Sequence, residues 1–331
     1  MIRNLGAMTV AGLMTLMALT GCTTGTAVPT QGGASTPGQA SGTLTKLNVA
    51  VVPSLDTNGL LEIARTKRYL ADAGLELNVV PLDSGPNAIT GVVAGQYDIA
   101  ATAYAPPLLA LGQGAPVRLV SNTGSVGADG TNGGVLVRAD SGVSSWRDLA
   151  GKKVATNAPR SLLSLTVPAA VQKDGGDPSG IQIVPLPFNQ IPKAVESGQV
   201  DAGAILEPFL TDGLTQYPSL KNLGDSTHAV LPEGSGAGAF VTSQATKEKK
   251  AAELARFKDA ITKAMDYGNA HPDEVRAAGA PQAGLSAEQA KKLPLGTFTS
   301  KVTAQDLQPL VDLMVEHKWV TTAPDLSVFL P

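Results

Sequence analysis

Apolar positions recur along this chain in two different periods, and the change of period divides it. From residue 47 onward, short apolar runs at 47–52, 75–79, 97–101, 117–121 and 135–138 alternate with stretches of helical spacing. Leu60, Ala64 and Leu70 follow the first run on a helix that Asp56 and Thr57 are placed to cap and Gly74 to stop, and 87–94 reads as a second helix. A second series begins at Val154, with helix over 161–173, strand over 181–184, helix over 191–197 and strand over 200–205. Such alternation predicts α/β units around mostly parallel sheets, and two series predict two of them. Past residue 250 the pattern changes. Leu254, Phe257, Ile261 and Met265, then Leu307, Leu310, Val311 and Met314, lie three to four residues apart, which predicts two amphipathic helices with their methionines in the core. Thr303 with Asp306 and Ser286 with Gln289 have capping spacing, and Pro272 suits a first helical position after His271.

One apolar run belongs to neither series. Residues 5–19 are uncharged, follow Arg3, and lead into Leu19-Thr20-Gly21-Cys22. This is signal-peptide organisation, and the run falls short of the roughly 20 residues that a membrane span requires. The LTGC sequence resembles the bacterial lipoprotein signal, which implies that residues 1–21 are removed and that Cys22 is lipidated. Thr, Gly, Ser, Pro and Gln dominate 23–41 without a single charge, so 22–45 reads as a flexible tether that buries too little apolar area to fold. The folded body then begins at Lys46, at the outer face of the membrane.

Composition narrows the function class. At 331 residues the chain is long enough for two domains. Net charge is −3 with no long Lys/Arg run, which excludes a nucleic-acid backbone as partner. A single cysteine excludes a disulfide framework, a multi-cysteine zinc site and an iron–sulfur cluster. No G-x-S-x-G, H-E-x-x-H, Walker A or strand-linked G-x-G-x-x-G occurs; His228, His271 and His317 are far apart, and GSGAG at 234–238 reads as a flexible connection. Binding rather than turnover is the expectation, with no metal and no cofactor.

An internal echo carries more than any single motif. VVAGQYDIAA at 92–101 matches VESGQVDAGA at 195–204 in Val, Gly, Gln, Asp and Ala, at an offset of 201 − 98 = 103. Gly95 and Gly198 suit left-handed helix stops, and Asp98 and Asp201 suit turn backbone groups, a structural role. The same offset pairs Tyr104 with Glu207, both just past a strand's carboxyl end, where open α/β sheets bind ligands.

With VVAGQYDIAATA, the runs APVRLVSN at 115–122, DLAGKKVATN at 148–157, VESGQVDAGAILEPF at 195–209 and NAHPDEVRAA at 269–278 resemble the solute-binding lipoproteins of ABC importers. The likeness is to the sulfonate, taurine, nitrate and thiamine-pyrimidine branch and covers roughly 46–320. It implies an α/β, two-lobed periplasmic-binding-protein-like fold of type II with two hinge crossings and extra C-terminal helices. Lobe one would be 46–139 with 230–331, lobe two 140–229, and the hinges would lie near 121–139 and 229–240. The resemblance further implies a monomer that delivers a small molecule to a permease and its ATPase. It places the pocket at Ser54, Asp56, Asn58, Thr102, Tyr104, Asn122, Thr123, Asn157, Arg160, Ser161 and Glu207. Arg160 and Ser161 at a helix start suit a sulfonate or carboxylate, Glu207 an ammonium or N–H, and Tyr104 a stacking or hydrogen-bonding contact. On the residues alone Arg160 also fits a solvated surface position and Ser161 a plain cap. Aromatic residues are 4% of the chain, which favours a compact polar solute. Alkanesulfonate or taurine ranks first, then a small aromatic or pyrimidine, then a nitrate-like anion. A tethered ligand sensor is the alternative of another class. The branch also resembles the fungal thiamine-pyrimidine synthase, whose cysteine-rich motif has no counterpart after Cys22.

Overall fold

The computed structural model describes residues 44–128, 133–281 and 285–331. The expected leader, Cys22 and nearly all of the tether therefore lie outside the described residues. Among the described residues there are ten strands: β1 (Thr45–Val51), β2 (Leu75–Pro81), β3 (Ile99–Ala103), β4 (Val117–Ser125), β5 (Gly133–Arg138), β6 (Lys153–Thr156), β7 (Gln182–Pro185), β8 (Ala202–Leu206), β9 (Leu220–Asn222) and β10 (Gly236–Ser243). β1 takes in Thr45, one position earlier than expected.

The strands form two five-stranded sheets of matching topology, β2-β1-β3-β10-β4 and β7-β6-β8-β5-β9. In each, three strands are parallel and the fourth runs antiparallel between its neighbours: β10 between β3 and β4, β5 between β8 and β9. The sheets are therefore mixed. β5 corrects the expected end of lobe one at 139, because residues 133–138 pair with β8 and β9 of the second sheet. Its apolar run, Val135 to Val137, announces a strand but carries no mark of which sheet it joins.

Helices cover both faces of the first sheet. Leu254, Phe257, Ile261 and Met265, on the 20-residue helix Ala251–Ala270, pack with Leu47, Val49 and Phe240 on one face. Leu307, Leu310, Val311 and Met314, on the helix Ala304–Glu316, pack with Leu108 and Val241 on the other. The C-terminal helices thus complete the first half, and their methionines are core, as the spacing predicts. The second half has its own core of Val135, Leu136, Val154, Val167, Ile191 and Ile205. Both capping pairs form, Thr303 with Asp306 and Ser286 with Gln289, and Pro272 sits in the first turn after His271.

The echo is a true structural repeat. Gly95 (φ 73°) and Gly198 (φ 72°) both close their helices in the left-handed region. Asp98 accepts the Asn48 N–H at 2.9 Å and Asp201 the Lys153 N–H at 2.8 Å, so each carboxylate fastens the neighbouring parallel strand. Asp98 also pairs with Lys250 Nζ at 2.7 Å, where the two side chains are 13% and 29% exposed; Asp201 is exposed.

GSGAG is not a loose connection throughout. Gly236 and Gly238 lie in β10, and a Cβ on Gly236 would stand 2.9 Å from the Tyr104 ring, so the glycine is set by close packing. The two crossings between sheets run from β4 to β5 and through 231–235 to β10. They are hydrogen-bonded to each other, Val126 N–H to Ser235 O at 2.8 Å and Gly234 N–H to Val126 O at 2.9 Å.

The asymmetry of the repeat predicts unequal costs. In chemical denaturation, Asp98→Ala should lose about 1–3 kcal/mol, because it leaves a partly buried N–H and a lysine unpaired. Asp201→Ala should lose about 0.5–1.5 kcal/mol, since water can reach its vacated N–H.

Candidate functional site

The carboxyl ends of the parallel strands and the first turns of the following helices converge from both halves on one cavity of about 140 Å3. The first half supplies Ser54, Asp56 and Thr57 at the start of the helix Leu55–Thr66, Thr102 at the end of β3, and Thr123 on β4. The second half supplies Asn157, Ser161, Phe188, Glu207 and Thr227. Ser54, rather than the expected Asp56-Thr57 pair, is the N-cap, accepting the Thr57 N–H at 3.3 Å. Ser161 caps the helix Leu162–Lys173 through the Ser164 N–H.

Seven of the eleven predicted pocket residues line this cavity: Ser54, Asp56, Thr102, Thr123, Asn157, Ser161 and Glu207. The other four stand elsewhere. Tyr104 is 0% exposed, its ring edge-on to Phe329 at 6.2 Å and its hydroxyl donating to Asn122 Oδ1 at 2.8 Å. Burial, with Asp306 nearby, pushes its phenol well above the ordinary tyrosine range. Asn122, also 0% exposed, spends its amide on Thr299 O at 2.8 Å and Lys301 O at 3.2 Å. Both are core polar groups that pin the C-terminal segment, fully engaged with protein. Asn58 is buried at a separate groove beside β2. Arg160 is exposed, with φ at 63°, and its guanidinium lies 5.2 Å from the centre of the Trp319 ring. The turn before the helix directs it outward while Ser161 enters the cavity.

Phe188, which the sequence leaves open between pocket wall and core, lines the cavity, while sequence reasoning missed Thr227 and 296–298. The last segment closes one wall, with Phe298 bridged to Gly124 on β4. No periodicity marks Thr227 or 296–298, because the first arrives on a five-residue helix and the second on an irregular segment.

The halves touch across the cleft. Leu55 N–H donates to Glu207 O at 3.3 Å and Asn157 Nδ2 to Asp83 O at 3.0 Å. Gln172 Nε2 meets Glu316 Oε1 at 2.8 Å, and Arg160 covers Trp319.

Glu207 is 3% exposed. Its oxygens accept the Thr211 N–H at 3.0 Å and the Thr211 hydroxyl at 2.8 Å, while burial, the larger effect, pushes its carboxyl above the usual range. Among the described residues, no Lys, Arg or His lines the cavity; Asp56 and Glu207 are its only ionisable groups. No group of three His, Cys, Asp or Glu side chains suited to a metal occurs among the described residues.

This architecture, two α/β halves joined by paired crossings around one cleft, is the periplasmic-binding-protein-like fold. Residues 59–275 match the family described as NMT1/THI5 like, and the chain belongs to that family. Among sequences, the chain is 25% identical over 237 residues to the putative aliphatic sulfonates-binding protein of Bacillus subtilis (strain 168), covering 70% of this chain and 68% of that one. Among solved structures, it is similar to the alkanesulfonate-binding protein SsuA of Xanthomonas axonopodis pv. citri bound to MOPS, with TM-score 0.71 and 19% identity over 86% of this chain and 98% of that one. It is also similar to the periplasmic aliphatic sulphonate binding protein SsuA of Escherichia coli, with TM-score 0.66 and 21% identity over 86% and 91%.

Because the folded-state pKa of Glu207 lies above its unfolded value, the folded protein holds this proton to higher pH. Stability from this group is then full in acid and is lost as pH rises through the folded pKa. Glu207→Gln should therefore unfold at a higher temperature than the parent near pH 7.5, with the gap narrowing toward about pH 4. A constant gap across pH in differential scanning calorimetry contradicts this.

Proposed function

We propose that this protein is the extracytoplasmic solute-binding component of an ABC importer, tethered through lipidated Cys22, which captures a compact organic solute and delivers it to the permease. The observation that carries this reading is a cleft whose lining comes from both halves. A solute bonded to both sides is held fully only when the halves meet, so its differential affinity shifts an open–closed equilibrium. The paired crossings at Val126 and Ser235 allow that motion while keeping the halves in register. An alkanesulfonate is the favoured solute. The sulfonate-binding relatives support it, and so do the helix starts at Ser54 and Ser161, where first-turn N–H groups and the positive end of the helix dipole stabilise an anion.

Thermal unfolding against alkanesulfonates, nitrate, pyrimidines and aromatic acids tests the reading. A true solute at 100 times its Kd adds about 2.7 kcal/mol, roughly 5–10 °C for a body of this size, and should also shrink the scattering radius. Absence of both effects across all four classes rejects solute capture of this kind.

Arg160 supports the closed state from outside the cavity, holding the second half to Trp319. Arg160→Ala and Trp319→Ala should each weaken solute affinity about two- to fivefold, as expected for an exposed cation–π contact, with no further loss in the double variant. A loss above about fiftyfold for Arg160→Ala beside a silent Trp319→Ala would put the guanidinium on the solute instead.

A further inference from the structure

The side of the cavity nearest the crossings is built from 123–125, 237–238 and 296–298, a stretch that includes Gly124, Gly238 and Gly296 and carries no charged side chain. Its shape is set by backbone positions, because such residues have few rotamers with which to adjust. Two of its three parts lie in strands of the first sheet, β4 and β10. The third, 296–298, belongs to neither sheet: Phe298 joins Gly124 as an isolated antiparallel bridge on β4, the edge strand.

Side chains from elsewhere hold this segment in place. Asn269, one residue before the end of the helix Ala251–Ala270, accepts the Phe298 N–H at Oδ1 and donates from Nδ2 to Phe298 O, both at 2.9 Å. One amide group thus pairs both backbone polar groups of one residue, as a neighbouring strand would. Asn122 holds the residues that follow, through Thr299 O and Lys301 O. The Phe298 ring is committed to the core of Phe257, Met265 and Val275, and a Cβ on Gly268 would stand 3.3 Å from it. On the cavity side, a Cβ on Gly124 would stand 2.9 Å from the Thr297 carbonyl oxygen, so the segment lies against the bare backbone of β4.

We propose that 296–298 gauges the length of the solute, and that Asn269 is the positioning residue that fixes the gauge. This rests on the solute-capture reading and deepens it. An acidic end received at the helix starts of Ser54 and Ser161 leaves the uncharged remainder of the solute to run toward the crossings, where the backbone of 296–298 stops it. Turning a side chain cannot admit a molecule one methylene too long; the segment has to leave Asn269 and Gly124. Asn269 does not line the cavity and acts through Phe298.

The test is isothermal titration of n-alkanesulfonates from one to eight carbons against the parent, Asn269→Ala and Gly124→Ala, each shown to be folded by calorimetric unfolding. In the parent, each methylene should tighten binding about fourfold until the chain meets the wall, after which affinity should fall. Asn269→Ala should move that optimum at least one carbon longer while changing methanesulfonate affinity less than about twofold, since the shortest solute does not reach the wall. Gly124→Ala, which displaces the Thr297 carbonyl, should move the optimum too. Without solute, amide exchange at Phe298 should be about tenfold faster or more in Asn269→Ala, because that N–H has lost its acceptor. An optimum that stays in place in Asn269→Ala overturns the inference and leaves solute capture intact, and so does a uniform loss across the series, the mark of a merely structural role. Unchanged exchange at Phe298, or a parent whose affinity keeps rising to eight carbons, overturns it as well. A parent that binds no sulfonate of the series removes the alkanesulfonate reading and the gauge with it.

Discussion

Each sheet of this protein contains one strand delivered from the other side of a crossing, and the site depends on that exchange. β5 arrives from the first half and inserts antiparallel between β8 and β9; β10 returns from the second half and inserts between β3 and β4. Neither half can complete its sheet without a strand that begins at the hinge. The crossings are consequently anchored at both ends by ladder hydrogen bonds and joined in the middle at Val126 and Ser235. The parallel strands of both halves end facing one cleft.

What meets there is a set of opposed electrical features. Strand ends in an α/β unit lead into helix starts, so the topology alone brings positive dipole ends to the cavity. Beside these stand the carboxylates of Asp56 and Glu207, which also line the cavity. Burial at that wall raises the Glu207 carboxyl above the usual range, the energetic mark of a charge held away from water.

Much of this was legible in the sequence because it follows from period and local chemistry. The two α/β series, the C-terminal amphipathic helices and the capping pairs all rest on spacing, whereas Asp98 and Asp201, expected to serve their own turns, bond the neighbouring strands instead. Ser54, Thr102 and Ser161 were legible for a similar reason, since they sit at strand ends or helix starts. The failures concern direction and pairing. Tyr104 holds the position equivalent to Glu207 in the repeat, yet it turns into the core, because Gly236 on β10 leaves room for its ring and Asn122 offers it an acceptor. That choice depends on a strand more than 130 residues away. The sheet membership of β5 is likewise a long-range fact, invisible in a run of three apolar residues.

The repeat also shows why homologous positions diverge in role. In the first half, residue 104 faces a sheet covered on both sides by helices, two of them from the C-terminal third, and the added apolar cover draws an aromatic side chain inward. The second half has no such addition, and residue 207 remains at the cleft wall. There Thr211 satisfies one bond on each carboxylate oxygen, which offsets part of the cost of burying the acid. The C-terminal helices therefore do more than thicken one lobe. They commit Tyr104 and Asn122 to packing, add 296–298 to the cavity wall and place Trp319 under Arg160 of the second half.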